Sequence, residues 1–335
     1  MPFKNICIFG AGALGGAIAA KLSSSLGADA TLSVVARGAH LRAIQCDGLR
    51  LLEAGANAPL VARVEATDDP RELPKQDLVI TGLKGHQLSA AADGIGHLLK
   101  EGTRVLMILN GIPWWYFHRD QQSGHAELQF DELDEGGKLW HLIGPHRVIG
   151  CVAHQGAEVS SPGEVKLSNN GHFILGEPSG EITDDLRDVE ALFRRADIGV
   201  KLSSRIRDDI WSKLMGNASF NPISALTRSL MSEMMADAAL SDQIGKVMKE
   251  VKAVGEALGA NVGMSVEQRL EQAQQIGPVR TSMLQDLLAG KSLEITPLVG
   301  MVVVLGRLAA VPTPVSETML ALVSRLDREN CRADM

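Results

Sequence analysis

The sequence is poor in the features that mark several large classes of protein. Cysteine occurs four times in 335 residues and never as a C-x-x-C pair, so neither a disulfide framework nor a zinc site is predicted. The longest apolar run, 298–305, is far shorter than the ~20 residues that a bilayer needs, and no basic, apolar leader opens the chain. With 33 Lys and Arg against 40 Asp and Glu, the net charge is −7, which argues against nucleic-acid binding. We expect a cytoplasmic protein with no membrane, nucleic-acid or metal partner.

What the chain does contain is the pattern of an α/β protein followed by a helical one. Up to Ser204, short apolar runs followed by turns alternate with helical patterns, as in a doubly wound parallel sheet. The clearest predicted strands are Ile6–Phe9, Thr31–Val35, Leu78–Ile80 and Val105–Leu109. Between Val148 and Gly176, turn signals predict antiparallel hairpins appended to that sheet. We therefore predict an N-terminal Rossmann-type domain over residues 1–204 and a C-terminal all-helical domain over residues 205–335.

A glycine-rich loop follows the first predicted strand. Gly10-Ala11-Gly12-Ala13-Leu14-Gly15 fits G-x-G-x-x-G, which is weak evidence alone in a chain with 34 glycines. Its position between a strand and an Ala-rich helix is typical of a dinucleotide site, where a pyrophosphate meets the positive end of the helix. We predict that Gly10, Gly12, Ala13, Leu14 and Gly15 bind a dinucleotide. The alternative is a close helix–strand crossing that binds nothing.

The ends of the next strands favour NADP over NAD. Where an NAD enzyme usually has Asp or Glu for the ribose 2′-hydroxyl, this chain has Arg37, whose guanidinium suits a 2′-phosphate. Lys84 and Asn110 each follow a parallel strand and should face the cofactor or substrate. The alternatives are solvated side chains at Arg37 and Lys84, and an ordinary Asn-Gly turn at Asn110.

A predicted helix in the second half carries polar residues on its apolar face. Lys213, Asn217 and Asn221 are spaced four residues apart, so they share one stripe of the helix. Polar groups placed there should line a wet cleft or bind a ligand, because burying them unpaired is costly. The alternative is that the asparagines cross-link helices and Lys213 extends to solvent. Pro222 should end or kink this helix.

Further polar residues follow near Ser282 and Glu294. Together with the preceding motifs, the run Ser282-Met283-Leu284-Gln285-Asp286 and Glu294 resemble the ketopantoate reductase (2-dehydropantoate 2-reductase) family from Cys7 to about Pro297. The resemblance implies NADPH in the Rossmann domain and a helical domain that closes over it. It also implies Lys213 as general acid, Lys84 near the cofactor, and the substrate ligands Asn110, Asn217, Asn221, Ser282 and Glu294. Glu294 would hold a substrate hydroxyl or orient the lysine; otherwise it is an N-terminal partner of the following helix.

The chain departs from the family pattern in three places. Asn110-Gly111 is followed by the aromatic residues Trp114-Trp115-Tyr116-Phe117, of which we expect at least one of the first three to line the substrate pocket or a lid. An acidic stretch over 120–135 lengthens the next connection, and Pro278-Val279 stands where relatives often have asparagine.

The function predicted from all of these residues is NADPH-dependent reduction of 2-dehydropantoate to pantoate for coenzyme A synthesis. Two rivals stay open. One is a paralogue acting on another 2-oxo acid, and the other is a non-catalytic NADP sensor. A homodimer is equally open, because apolar segments such as Met301–Leu305 suit either the helical core or a subunit interface.

Overall fold

The computed structural model describes residues 3–27 and 30–332, which form two compact units. One unit contains the described residues up to Leu109 together with 117–119 and 127–206. The other contains 110–116, 120–126 and the described residues from Arg207 onward. The domain boundary at Ser204 stays a prediction, and the second unit includes two loop segments that the sequence analysis did not assign to it.

The first unit is built on parallel strands, as predicted. Its strands are β1 (Asn5–Phe9), β2 (Thr31–Val35), β3 (Leu49–Leu52), β4 (Leu60–Ala62), β5 (Glu65–Thr67), β6 (Leu78–Thr81), β7 (Arg104–Ile108), β8 (Val148–Ala153), β9 (Ala157–Ser161), β10 (Glu164–Leu167), β11 (His172–Gly176) and β12 (Gly199–Leu202). Its α-helices are α1 (Ala13–Leu26), α2 (Gly38–Asp47), α3 (Leu88–Leu98), α4 (Lys138–Leu142) and α5 (Asp184–Arg195).

Eight strands form the main sheet, in the order β12-β11-β8-β7-β6-β1-β2-β5. The pairs from β5 to β8 are parallel, whereas β11 runs antiparallel to β8. All four residues of β6 are buried, as expected of a parallel strand covered on both faces. The mixed α/β fold with a Rossmann-type sheet is therefore confirmed.

A second sheet corrects one detail of the predicted topology. The hairpin of β9 and β10 does not extend the main sheet but joins β3 and β4 in a sheet of order β4-β3-β10-β9. The pairing is possible because β3 offers a free edge to β10, with Val165 opposite Leu51. Hydrophobic alternation predicts a hairpin but does not choose which edge it joins.

The second unit is helical, and residues 207–332 contain no strand. Its α-helices are α6 (Ile206–Thr227), α7 (Met231–Ala236), α8 (Ala238–Ala257), α9 (Val266–Gln274), α10 (Ser282–Leu288), α11 (Met301–Leu308) and α12 (Pro314–Arg332). A π-helical turn, Thr296–Gly300, leads into α11. Side-chain caps set several starts: Asp237 accepts two backbone N–H groups at the start of α8, and Thr281 accepts that of Leu284 at the start of α10.

The apolar segment that left a subunit interface open is buried inside this unit. Met301, Val302 and Leu305 have no exposed surface. A homodimer stays a prediction without support from that segment. No helix within 3–27 and 30–332 has the length and apolarity needed to cross a bilayer. The cytoplasmic location stays a prediction.

Candidate active site

The glycine loop of the first unit is shaped partly by packing and partly by open space. Gly10 has φ +96°, and a Cβ there would lie 2.7 Å from the side chain of Leu83. A Cβ at Gly15 would lie 2.1 Å from the carbonyl oxygen of Gly10. At Gly12, in contrast, the nearest atom to an added Cβ is 3.7 Å away, which is ordinary contact. Packing therefore explains Gly10 and Gly15, whereas Gly12 leaves a space that suits a pyrophosphate.

The start of α1 supplies the electrostatics for such a ligand. Gly12 is the N-cap and offers no side-chain hydrogen bond, and the first turn contains no acidic residue. The backbone N–H groups of Ala13, Leu14 and Gly15 thus stand at the positive end of a 14-residue helix. The residues present fit the diphosphate of a dinucleotide.

Arg37 lies close to this loop at the end of β2. The carbonyl of Val35, two residues earlier, accepts a hydrogen bond from the Gly10 N–H at 2.9 Å. Arg37 is the N-cap of α2 and is exposed to solvent. Its guanidinium can therefore reach a ligand at the loop without breaking a packed contact.

His40 supports the glycine loop through two hydrogen bonds. Its Nδ1 accepts the N–H of Gly163 at 2.9 Å, so Nε2 carries the proton and donates to the carbonyl of Ala11 at 2.7 Å. The histidine thereby ties the glycine loop to the β9–β10 turn. Only the tertiary fold brings these residues together, since Gly163 lies more than a hundred residues after His40.

Lys84 lies two residues after a glycine that packs against the glycine loop. It follows Gly82, where an added Cβ would lie 2.3 Å from the carbonyl oxygen of Gly10. The lysine is half-buried at the start of a short 3-10 turn. The segments that carry the predicted cofactor-binding residues Arg37 and Lys84 therefore both pack against the glycine loop.

In the second unit, Lys213, Asn110 and Glu294 form a hydrogen-bonded chain. The Lys213 ammonium donates to Oδ1 of Asn110 at 2.7 Å, and Nδ2 of Asn110 donates to Oε2 of Glu294 at 3.2 Å. Glu294 is 8% exposed. The asparagine can serve both neighbours because its amide has one accepting and one donating end. A cation and a buried carboxylate thus stand at opposite ends of one amide, although Asn110 and Glu294 are 184 positions apart in sequence.

Backbone contacts hold Asn110 at this position. The N–H of Ile112 donates to the carbonyl of Pro297 at 2.9 Å. Gly111, which lies between Asn110 and Ile112, has φ +76°, and a Cβ there would lie 2.1 Å from the carbonyl oxygen of Pro297. Only glycine permits this approach, which brings the loop against the segment that follows Glu294.

The remaining predicted ligands lie on or beside α6. Asn221 is 5% exposed, and its Nδ2 is 3.5 Å from Oγ of Ser282, the first residue of α10. Asn217 is half-buried one turn before Asn221. The structure therefore brings Lys213, Asn110 and Glu294 together, links Asn221 to Ser282, and places Asn217 on the same helical face.

Comparison with known proteins identifies the family of this chain. Residues 6–180 match the family model for ketopantoate reductase PanE/ApbA, and residues 205–327 match the model for its C-terminal part. A 2-dehydropantoate 2-reductase of Mesorhizobium japonicum is 44% identical over 323 residues, covering 96% of this chain and 97% of its own. This chain belongs to the ketopantoate reductase family. It is accordingly an oxidoreductase.

Solved structures support the same conclusion. The crystal structure of a Ralstonia solanacearum protein assigned to the ketopantoate reductases superposes with a TM-score of 0.91 at 38% identity, covering 98% of each chain. D-mandelate dehydrogenase, solved as a ternary complex with NADH and anilino(oxo)acetate, shares the fold with a TM-score of 0.82 at 20% identity, covering 97% of this chain and 99% of its own.

Within this family member, the aromatic segment is part of the core. Trp114, Trp115 and Tyr116 are between 1% and 4% exposed. The Tyr116 ring packs edge-on against Trp211, with ring centroids 6.4 Å apart. The expected place in a pocket wall or lid is therefore not what the structure supports. An aromatic run after a strand end is equally compatible with core packing, and only burial distinguishes the two.

Tyr116 is also hydrogen-bonded to α6. Trp211 Nε1 donates to the Tyr116 hydroxyl at 2.6 Å, and Arg207 Nε donates to the Tyr116 carbonyl at 2.7 Å. Burial raises the pKa of the Tyr116 hydroxyl above its ordinary value. Trp211 and Lys213 lie on nearly opposite sides of α6, so the segment 110–116 contacts the helix on both sides.

The prediction that Pro222 ends or kinks α6 is resolved in part. Helix α6 continues through Pro222 to Thr227, so the proline does not end the helix, and a kink there stays a prediction. The packed surroundings hold the helix together beyond the residue that lacks a backbone donor: Asn221, Pro222 and Ile223 are all buried. Val279 of the Pro278-Val279 pair is 48% exposed.

Proposed function

We propose that this chain catalyses the NADPH-dependent reduction of 2-dehydropantoate to pantoate, a step toward pantothenate and coenzyme A. The observation that carries the proposal is the pair of hydrogen bonds that join Lys213 to Asn110 and Asn110 to Glu294. The Lys213 ammonium is bound by the neutral amide of Asn110, and the other end of that amide binds the buried Glu294 carboxylate. Reduction of a 2-oxo acid needs a proton donor of this kind at the carbonyl oxygen.

Lys213 acts as the general acid in this proposal. NADPH, when bound, supplies a hydride to the keto carbon. The Lys213 ammonium stabilises the negative charge that develops on the keto oxygen and donates a proton to it, which completes the 2-hydroxy acid. Asn110 Oδ1 accepts a hydrogen bond from the Lys213 ammonium, which fixes the position of that ammonium.

The other polar residues orient the substrate. Asn217, Asn221 and Ser282 offer amide and hydroxyl groups to the substrate's polar atoms. Glu294 accepts from Asn110 and either orients the Lys213–Asn110 pair through it or accepts a substrate hydroxyl. A sensor of NADP has no use for a buried carboxylate joined through an amide to a lysine, so these contacts favour an enzyme.

NADPH is the proposed cofactor because of Arg37. The glycine loop and the start of α1 suit the diphosphate of either dinucleotide. Arg37 follows β2 without a neighbouring Asp or Glu, and a guanidinium pairs with a 2′-phosphate rather than a ribose hydroxyl. Lys84 and Asn110 are the further residues we assign to the cofactor's side of the site.

The substrate is assigned from the relative in Mesorhizobium japonicum, whose name specifies 2-dehydropantoate. A second candidate is another 2-oxo acid. It is favoured by Pro278-Val279, which stand where relatives often have asparagine, and the same fold serves D-mandelate dehydrogenase.

Initial rates with NADPH and NADH against a panel of 2-oxo acids would decide among these functions. We expect the highest kcat/KM with 2-dehydropantoate and NADPH. A higher value with another 2-oxo acid would identify the paralogue. Tight NADPH binding by fluorescence without turnover of any 2-oxo acid would identify the sensor.

A further inference from the structure

Arg269 of α9 lies in a slot on the surface of α6. A Cβ at Gly216 would be 2.7 Å from its Nη2, so only a residue without a side chain leaves room for the guanidinium. On its other side, the Arg269 Cζ is 5.5 Å from the centroid of the Phe220 ring, which is 3% exposed. The guanidinium is thus held between a helical glycine and an aromatic face.

This guanidinium has no hydrogen-bond acceptor and no carboxylate partner among residues 3–27 and 30–332. Other arginines of the chain differ: Arg307 pairs with Glu317, and Arg325 with Glu329. Arg269 is half-buried, and loss of solvent lowers its pKa without a neighbouring carboxylate to oppose the shift. A half-buried cation of this kind is stabilised by any anion that can reach it.

The slot lies on the same side of α6 as the proposed catalytic residues. At about 100° per residue, Gly216 and Phe220 lie about 60° and about 20° to one side of Lys213 around the helix axis. Asn217 lies about 40° to the other side of Lys213. Gly216 is one turn after Lys213 and adjacent to Asn217 along the axis. The guanidinium therefore flanks the Lys213–Asn217 row.

We infer that Arg269 binds the carboxylate of the 2-oxo acid substrate. A planar guanidinium presents paired N–H donors that match the two oxygens of a carboxylate, which a lysine or an amide cannot do as well. The contact with Phe220 and the space at Gly216 fix the plane of the fork. In this arrangement Arg269 selects for an acid, whereas Lys213 acts on the neighbouring keto oxygen. This assignment rests on the proposed reduction of a 2-oxo acid.

The test compares an acid with its uncharged ester. Binding of the preferred 2-oxo acid's reduced product and of the methyl ester of that product is measured by calorimetry in the presence of NADP⁺. The wild-type protein should bind the acid about 10–100-fold more tightly than the ester, as charge-assisted hydrogen bonds allow. Arg269→Met, which keeps the apolar contact with Phe220, should bind the two alike.

Two further variants separate the charge from its position. Gly216→Ala keeps the arginine but pushes Nη2 out of the slot, so it should lose part of the preference for the acid. Arg325→Met removes an exposed arginine that is paired with Glu329 on α12, and it should keep the full preference. Thermal unfolding of each variant shows whether the fold is retained.

Several results would overturn the inference. The first is that the wild-type protein binds acid and ester equally. The second is that Arg269→Met prefers the acid as strongly as the wild type does. The third is that Arg269→Met loses affinity for NADPH instead. The last result would assign Arg269 to a cofactor phosphate. If the wild-type protein turns over no 2-oxo acid, the proposed function itself fails, which is a separate outcome.

Discussion

The two units hold their functional groups in different ways. In the first, six consecutive residues form the candidate binding loop, whose donors are backbone N–H groups and whose shape depends on missing side chains. In the second, the candidate functional groups are side chains from α6, a loop near residue 110 and a segment near residue 294. A cofactor site made of backbone survives many side-chain changes, whereas a catalytic site made of side chains depends on each of them.

Replacing the proposed catalytic lysine should have the largest effect on activity. It should also distinguish most clearly between catalysis, assigned to the second unit, and cofactor binding, assigned to the first. Lys213→Ala should lower kcat by about 10²–10⁴-fold, because the proton donor and the positive charge at the keto oxygen are both lost. NADPH affinity, measured by fluorescence titration, should stay within a few-fold. Lys246→Ala on α8, where the lysine is exposed and paired with Asp242, is the matched control. A near-normal kcat in Lys213→Ala would return the lysine to an ordinary solvated role.

The glycine loop should respond in the opposite way. Gly12→Ala adds a Cβ that makes only an ordinary contact within the protein. Thermal stability should therefore be unchanged, while dinucleotide affinity falls on the order of 100-fold. Gly15→Ala places its Cβ 2.1 Å from a carbonyl oxygen and should lower the melting temperature as well. The comparison between the units would break down if Gly12→Ala bound NADPH normally.

Replacing Arg37 tests whether a side chain of the first unit contributes to cofactor selection. Arg37→Ala should weaken NADPH binding by about 10–100-fold and leave NADH binding nearly unchanged, because only NADPH has the 2′-phosphate. Arg42→Ala, another exposed arginine of α2, serves as the control. Equal loss for both cofactors would show that Arg37 supports the fold rather than selecting the nucleotide.

The smallest effect is expected from the buried tyrosine that joins the segment 110–116 to α6. Tyr116→Phe leaves the buried Trp211 N–H without its acceptor, which should cost about 1–3 kcal/mol of stability. We expect kcat to fall less than about tenfold, since Asn110 keeps its other contacts.

A second substitution checks the cause of that loss. Tyr116→Phe combined with Trp211→Phe removes donor and acceptor together, so its free energy of unfolding should be less reduced than the sum of the two single changes, as measured by denaturant titration. Strict additivity would mean that the hydrogen bond contributes little and that packing alone holds the segment.

Sequence reasoning placed residues best where the candidate site is local in sequence. The strand, the glycine loop and Arg37 occupy one stretch of about thirty residues, and strand pairing β1–β2 makes them neighbours in any Rossmann-type sheet. Periodicity likewise placed Lys213, Asn217 and Asn221 on one face of α6, because helical geometry follows directly from spacing. The resemblance to ketopantoate reductases joined these separate motifs into one function.

Other features were out of reach of such reasoning. The aromatic segment was expected near the substrate and proved to be core, and the β9–β10 hairpin joined a second sheet. The contacts of His40, Tyr116 and Arg269 do not follow from spacing, since each residue gains its role from a partner distant in sequence.

The sequence by itself determined the element pattern, the glycine loop at the start of α1 and the row of polar residues on α6. These follow from periods of two and 3.6 residues and from the conformations that glycine alone allows. The tertiary structure alone decided that Asn110 joins Lys213 to Glu294, and that Gly216 leaves a slot for Arg269. Hydrogen bonds and steric gaps act over a few ångströms, and spacing along the chain does not specify which distant residues come within that range.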